Sequence, residues 1–449
     1  MITTAYVKIW GELVGAVAWD EREQLASFEY APSFVSANLD SSRESMDRKG
    51  WELAPIHMPL HDGARIYQFP ELRAARGSVY DTFRGLPGLL ADTLPDKYGN
   101  QLMDVWLAQQ GRPAGSMNPV ERLCFIGSRG MGAIEFEPTE IKTRKQSYKI
   151  ELDALVEISQ RMLQSRDHFE TNLSKDEEKA MMDILRVGTS AGGARPKAVI
   201  AYNDKTGEVR SGQTRAPRGY EHWLLKLDGV SEAQFGSSLG YGRVEMAYYL
   251  MALDCGIHMM ESRLIEEYGR AHFMTKRYDR EGGATRHHVQ TWCAIAHYDF
   301  NDMHSYSYEQ LFQTMRALRL DYRDAEQMYR RMVFNVLARN CDDHTKNFSF
   351  LMRRDGIWRL APAYDICHAY DPQSIWVSQH ALSINGKRDR HTAEDLLTIA
   401  ASMNIKKAKQ ILHDVQDVVS RWHSYADQVG VDADKRESIA RTFVQMRTG

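Results

Sequence analysis

Apolar and polar side chains alternate from Tyr6 through Val7, Lys8 and Ile9 to Trp10. A period of two predicts a strand with one covered face. Gly11 and Glu12 can turn the chain, Leu13 to Trp19 reads as a second strand, and Ala26 to Tyr30 as a third. A helical region follows, punctuated by Leu86-Pro87-Gly88 and Leu94-Pro95-Asp96, with Gly99 to Gln110 helix-compatible. Gly127 to Gly132 is a glycine-rich turn leading into Ala133 to Phe136. The stretch Ile141 to Lys149, with Lys142, Arg144 and Lys145, then turns polar and basic, the best linker in the chain. It places a domain boundary near residue 145; a solvated loop inside one domain is the other reading of the same stretch.

Beyond it the pattern predicts a helix over Glu151 to Leu163, a Gly/Ser loop at Gly188 to Gly193, and strands at Ala198 to Tyr202 and His222 to Leu227. A helix over Arg243 to Leu253 and strands at Ser262 to Glu267 and His272 to Lys276 come next. Helical periodicity then dominates: Tyr308 to Leu318, Arg323 to Arg339, Ala393 to Ala401, Lys406 to Trp422 and Asp434 to Met446. A hairpin, Phe348 to Met352 and Trp358 to Leu360, interrupts it. The class expected is α+β: a β-rich N-terminal domain (1–145), then a domain (146–449) with a sheet-bearing lobe to about 280 and a mostly helical lobe after it.

Bulk properties narrow the function classes. The 449 residues would allow about three domains by length alone. The apolar fraction of 43% is that of a globular protein. With 57 basic and 60 acidic side chains, a net charge of −3 advertises neither nucleic acid nor an anionic membrane. Five scattered cysteines without a C-x-x-C pair argue against a disulfide framework or a zinc site and fit a reducing cytosol. No apolar run approaches the ~20 residues that span a bilayer, and the N-terminus does not read as a signal peptide.

The chemistry concentrates in Asn340-Cys341-Asp342-Asp343-His344-Thr345-Lys346-Asn347, followed after the hairpin by Tyr364-Asp365-Ile366. Phosphoryl transfer needs a carboxylate to orient or deprotonate the attacking hydroxyl, oxygen ligands for Mg²⁺, and positive charge for the phosphates. Protein kinases supply the first two as D-x-x-x-x-N with a second metal-binding Asp downstream. Asp342 and Asn347 have that spacing, Asp343 does not, and Asp365 falls where the second ligand belongs. Lys346 is a further cation. A polar turn, with Asp342 or Asp343 capping a helix and Asn347 satisfying backbone, is the bland reading of the octapeptide taken alone.

Three weaker signals accompany it. Gly188-Thr189-Ser190-Ala191-Gly192-Gly193-Ala194-Arg195-Pro196-Lys197 can bring backbone N–H groups close to phosphate oxygens, although no Walker A lysine follows. Lys226 sits in the apolar strand Trp223 to Leu227, where an unpaired lysine is costly; a phosphate and a helix carboxylate such as Glu245 would pair it. Lys276-Arg277-Tyr278-Asp279 leaves a strand for a polar turn, as a hinge reading adenine through its backbone would. Each alone is equally an ordinary surface loop, an edge-strand lysine or a strand end.

In combination and order, these motifs resemble the HipA family of serine/threonine kinases, the toxin halves of bacterial type II toxin–antitoxin modules. Leu90 to Asp96 and Arg122 to Ala133 look like parts of that family's N-terminal domain, so the likeness runs over most of the chain. The resemblance implies a protein-kinase-like, two-lobed C-terminal domain using ATP and Mg²⁺. Asp342 becomes the catalytic base, and Asn347 and Asp365 the metal ligands. ATP contacts fall to Gly192, Gly193, Ala194, Arg195, Pro196, Lys197, Lys226, Lys276, Arg277, Tyr278, His344, Thr345, Lys346, Asn347 and Asp365, and autophosphorylation to Ser190. It also implies a HipB-like helix-turn-helix antitoxin that brings DNA in indirectly. The protein substrate it implies is translation-related, an aminoacyl-tRNA synthetase being the family precedent. The loop reads Ala194-Arg195-Pro196-Lys197 where some members carry glutamine second. A catalytically silent scaffold and a small-molecule kinase are the alternatives.

Overall fold

In the computed structural model, which describes residues 2–39, 50–73, 81–140, 147–164, 182–185, 188, 195–213, 215–232, 236–237, 239–302 and 305–446, the alternating N-terminal segment forms an antiparallel sheet. Its strands are β1 (Thr4–Ile9), β2 (Glu12–Asp20), β3 (Leu25–Tyr30) and β4 (Ile134–Glu137), in the order β3-β2-β1-β4. Ala5, Val7 and Ile9 point inward, as period two requires. A bulge between Val7 and Lys8 shifts the register against β2. Gly15 sits where a Cβ would lie 2.1 Å from the Glu29 carbonyl oxygen, so β2 and β3 can approach only with glycine there.

Two helices frame this sheet's return. The first, α1 (Lys97–Gln109), buries Tyr98, Leu102, Met103 and Leu107. The second, α2 (Pro119–Ile126), was not anticipated by periodicity, yet its signals are local. Asn118 caps it by accepting from the Glu121 N–H, Pro119 takes the first turn, and Gly127 ends it at φ +58°.

The chain divides into two units. One comprises Met1–Leu239, Ile265–Gln290 and Met352–Ile357; the other comprises Gly240–Leu264, Thr291–Leu351 and Trp358–Gly449. The basic linker segment 141–146 lies outside the described residues. In the first unit, α3 (Leu152–Gln164) precedes a five-stranded sheet of β5 (Lys197–Tyr202), β6 (Val209–Ser211), β7 (Glu221–Lys226), β8 (Ser262–Glu267) and β9 (Arg270–Lys276), ordered β8-β9-β7-β5-β6. Tyr98 and Leu102 of α1 share a core with Leu155 of α3 and with Ala198, Ile200, Trp223, Leu225 and Met274 of the sheet. The Tyr98 hydroxyl and Ser159 Oγ, 2.9 Å apart, join the two helices inside it.

The second unit is mostly helical: α4 (Tyr241–Asp254), α5 (Trp292–Ala296), α6 (Tyr308–Ala317), α7 (Tyr322–Leu337), α8 (Ala393–Ser402), α9 (Ala408–Ser420), α10 (Trp422–Gln428) and α11 (Ala433–Ala440), with the short strands β10 (Ser349–Met352) and β11 (Trp358–Leu360). Several of its helix starts are capped by side chains. Ser307 and Gln310 make a reciprocal capping box on α6, and Asp321 caps α7. Tyr248 packs edge-on against Phe334 and Trp422 and donates to the Ala338 carbonyl at 2.6 Å. The helix expected over Lys406 to Trp422 breaks at Arg421, and the one expected to reach Met446 stops at Ala440. Val444 N–H then pairs with the Leu337 carbonyl, a bond a continuing helix could not make. The α+β class expected is the class observed.

Candidate functional site

The sheet of the first unit presents its residues on two faces. Trp223 and Leu225 enter the core, so Leu224 and Lys226 lie on the opposite face by alternation. Lys197 pairs directly with Lys226 across the ladder, and Phe273 does so from the other side. Hence both lysines stand on one face, Lys197 buried, Lys226 with its Nζ 5.8 Å from the centre of the Phe273 ring. The turn after Lys226 is pinned from β9: the Asp228 N–H donates to His272 Nδ1 at 2.8 Å, and Asp228 Oδ2 accepts from the Ala271 N–H. Arg195 is half-buried and Pro196 buried just ahead of β5. Ser190, Gly192, Gly193 and Ala194 lie outside the described residues.

At the other end of β9, Lys276 pairs with Glu221. Arg277 is buried, its Nε and an Nη donating to the two oxygens of Asp279 at 2.8 and 2.6 Å, and its N–H continues the ladder to the His222 carbonyl. Asp279 is fully buried and also accepts from Arg280 and from the Gly132 N–H, at 2.6 and 2.7 Å. Burial opposes its ionisation, but the two guanidinium groups and these donors hold the carboxyl well below the usual carboxylate range. The glycine-rich turn of the N-terminal segment is thereby fastened to the chain leaving β9. Arg277 is thus committed to Asp279, and Tyr278 beside it is half-buried.

The second unit carries the D-x-x-x-x-N motif directly after α7. Arg339, at φ +52°, turns the chain out of the helix; the Asn340 N–H returns to the Asn335 carbonyl, and the Cys341 N–H donates to Ala369 O at 2.9 Å. From Cys341 to Thr345 buried and partly exposed residues alternate. Asp342 is half exposed, its Oδ1 3.6 Å from His344 Nε2. The Asn347 Nδ2 donates to the Asp342 carbonyl at 2.6 Å, which leaves the amide Oδ1 as an acceptor. Thr345–Asn347 forms a single 3₁₀ turn capped by His344, whose Nδ1 accepts from the Lys346 N–H. Thr345 donates to Tyr298 O at 2.9 Å, and the Lys346 ammonium lies 4.6 Å over the Phe300 ring.

Asp365 follows β11 at φ +52°, a left-handed conformation Asp tolerates better than most residues and one often kept at functional turns. Asn347 and Asp365 line one small cleft, together with Arg331, Asn335, Asn340 and Asp343. Hard oxygen donors without sulfur suit Mg²⁺, which takes one or two protein ligands and completes its shell with phosphates and water. Among the described residues no group of three or more His, Cys, Asp and Glu side chains is placed to hold a metal by itself.

Asp343, at the inner wall of that cleft, has its carboxylate fully buried, unlike Asp342. Its Oδ2 accepts from the Tyr308 hydroxyl and from His380 Nδ1, both at 2.9 Å, and its Oδ1 from the Ala381 N–H at 2.8 Å. Asn335 Nδ2 donates to Tyr308 at 3.0 Å, and Asn340 to Asn335. Burial alone would push the His380 imidazole down, but Asp343 beside it raises it to about 10. Sequence reasoning singled out none of Tyr308, Asn335 and His380, and no local signal marks them. Glu245, offered as a partner for Lys226, is buried in α4.

A motif of this kind, in a helical unit that follows such a sheet, defines a class of protein, and the comparisons name it. Residues 5–137 match the HipA N-terminal domain and residues 189–422 the HipA-like C-terminal domain. The chain belongs to the HipA family. Among solved structures it is similar to HipA of Shewanella oneidensis MR-1, determined with HipB and its operator DNA. The TM-score is 0.64 at 17% identity, over 97% of this chain and 94% of that one, a likeness of fold. The Helicobacter pylori proinflammatory kinase CtkA matches 56% of this chain and 93% of its own at 13% identity with a TM-score of 0.32, too distant to bear on the argument. No curated protein is similar enough in sequence to count as a match.

Proposed function

We propose that this chain is a Mg²⁺- and ATP-dependent serine/threonine protein kinase, with Asp342 as the base that orients and deprotonates the acceptor hydroxyl. The observation that carries the reading is the catalytic-loop geometry. A half-exposed Asp342 carboxylate stands five residues before an amide locked to its own carbonyl, and that amide shares a cleft with Asp365. Asn347 Oδ1 and Asp365 would hold Mg²⁺, which when bound neutralises phosphate charge. Lys226 and Lys197 put two ammonium groups on one sheet face, charge of the sign that ATP phosphates require. The Lys276 to Tyr278 backbone is the candidate adenine hinge, and His344, Thr345 and Lys346 flank the loop. Gly192, Gly193, Ala194 and Arg195 would supply backbone N–H groups to the phosphates, and Pro196, which has none, would fix the chain direction into β5.

Membership of the HipA family supports a toxin role with a HipB-like helix-turn-helix antitoxin as partner and DNA reached through it; the Shewanella structure holds HipA, HipB and operator DNA in one complex. A translation-related protein, such as an aminoacyl-tRNA synthetase, is the substrate class to try first. Among the described residues no helix is long and apolar enough to cross a membrane. Incubation with Mg-ATP followed by intact-mass measurement tests the activity: a mass gain of one phosphate is expected. General-base and positioning roles contribute about 10²–10⁴ in rate, so Asp342→Asn abolishes most of that gain while the chain stays folded. Full activity in Asp342→Asn would exclude Asp342 as the base.

A further inference from the structure

We propose that Asp343, clamped by His380, Tyr308 and the Ala381 main chain, is a positioning residue that aims Asp342 at the acceptor hydroxyl; this rests on the kinase reading above. A carboxylate with no exposed surface is tolerated only when each oxygen is satisfied. Here Oδ1 takes a main-chain N–H, and Oδ2 takes a hydroxyl and an imidazole N–H. Tyr308 is held in turn by Asn335, and Asn335 by Asn340, so the clamp runs from α6 through α7 into the loop itself.

The consequence falls on the residue between the pinned ones. Cys341 is tied on one side by its N–H to Ala369 O and on the other by its carbonyl to the Ala381 N–H, at 2.9 and 3.2 Å. Asp343 is tied by its side chain to the same Ala381. With both neighbours drawn inward and burial alternating along the loop, Asp342 must project outward. Its carbonyl is simultaneously fixed by Asn347. Asp342 thus keeps a half-exposed carboxylate on a main chain that cannot drift, and displacement of a reacting group by about 1 Å can cost about 10² in rate. The Asp343 carboxylate favours the charged form of His380 against burial, and the 2.9 Å contact holds the ring whichever form it takes.

Substitution chemistry makes the proposal testable. Both oxygens of Asp343 face donors, so in Asp343→Asn the amide NH₂ meets a donor in either orientation. Self-phosphorylation from Mg-ATP is followed by intact mass over time at several ATP concentrations, for the wild type, Asp343→Asn, His380→Gln, the double variant and Tyr308→Phe. A folded Asp343→Asn is expected to lose about 10²-fold in limiting rate, with half-saturating ATP changed by less than about twofold. The double variant should lose no more than Asp343→Asn alone, because residues acting as a unit are not additive. Tyr308→Phe removes two hydrogen bonds, the one donated to Asp343 and the one accepted from Asn335, and should lose severalfold in limiting rate with a lowered unfolding temperature but an intact fold; it carries the test if Asp343→Asn does not fold. Unchanged limiting rates in folded Asp343→Asn, or in Tyr308→Phe where the former does not fold, overturn the clamp while the wild type still transfers phosphate. Losses that multiply in the double variant, or that appear in half-saturation alone, overturn it too. An inactive wild type overturns the kinase reading and the clamp together.

Discussion

Asp279→Ala is expected to be among the most damaging single substitutions in the first unit. The carboxylate is fully buried and accepts four hydrogen bonds: two from Arg277, one from Arg280 and one from the Gly132 N–H. Arg280 also donates to the Gly130 and Gly132 carbonyls, and Arg286 to Gly132 O and Glu135. Removing Asp279 leaves Arg277 and Arg280 buried without their carboxylate. Breaking one side of a buried pair in this way costs about 3–5 kcal/mol, against a typical total of about 5–15 kcal/mol for a native protein. Urea unfolding followed by fluorescence reads the loss as a lower midpoint at unchanged slope. The pH dependence gives a second arm. Asp279 titrates lower in the folded protein than in the unfolded chain. Its stabilisation is therefore complete above the unfolded value, about pH 4, and disappears as pH falls toward the folded one. The difference between wild type and Asp279→Ala should accordingly be flat at neutral pH and shrink only below about pH 4. A loss under about 1 kcal/mol at pH 7, the range of an exposed pair, would show that the cluster is solvated and that it does not fasten the Gly127–Gly132 turn to β9.

Two further outcomes follow from the site. Asp365→Ala should weaken Mg²⁺-dependent ATP binding measured by calorimetry, since Asn347 alone holds the ion poorly; unchanged affinity would remove Asp365 from the metal site. Peptide mapping after incubation with Mg-ATP should locate the added phosphate on Ser190, and Ser190→Asp should weaken ATP binding, because a phosphoserine's charge of about −1.5 to −2 repels the nucleotide phosphates. An unmodified Ser190, with the aspartate variant binding ATP normally, would dismiss this gate.

Periodicity and spacing belong to neighbouring residues, and they were readable without a fold. The alternation of Tyr6 to Trp10, the strand holding Lys226, the helices around Tyr308 and Arg323, and the five-residue step from Asp342 to Asn347 are all local patterns, and so were their elements. The cap of α2 at Asn118 is equally local. Tertiary structure decided what lies far apart in sequence. It set which face of β7 carries Lys226, because Trp223 and Leu225 needed a core that α1 and α3 complete. It assigned β6, too short for a period, its place beside β5. It ended α11 at Ala440, where the Val444 N–H could reach Leu337 instead. Above all it gave opposite surroundings to two adjacent aspartates that only their spacing to Asn347 tells apart in the sequence. Asp343 is drawn inward by donors 35 to 38 residues away, and Asp342 is left facing out because its neighbours are held in. No local pattern encodes that difference, since it depends on which distant donors the fold delivers to a buried carboxylate.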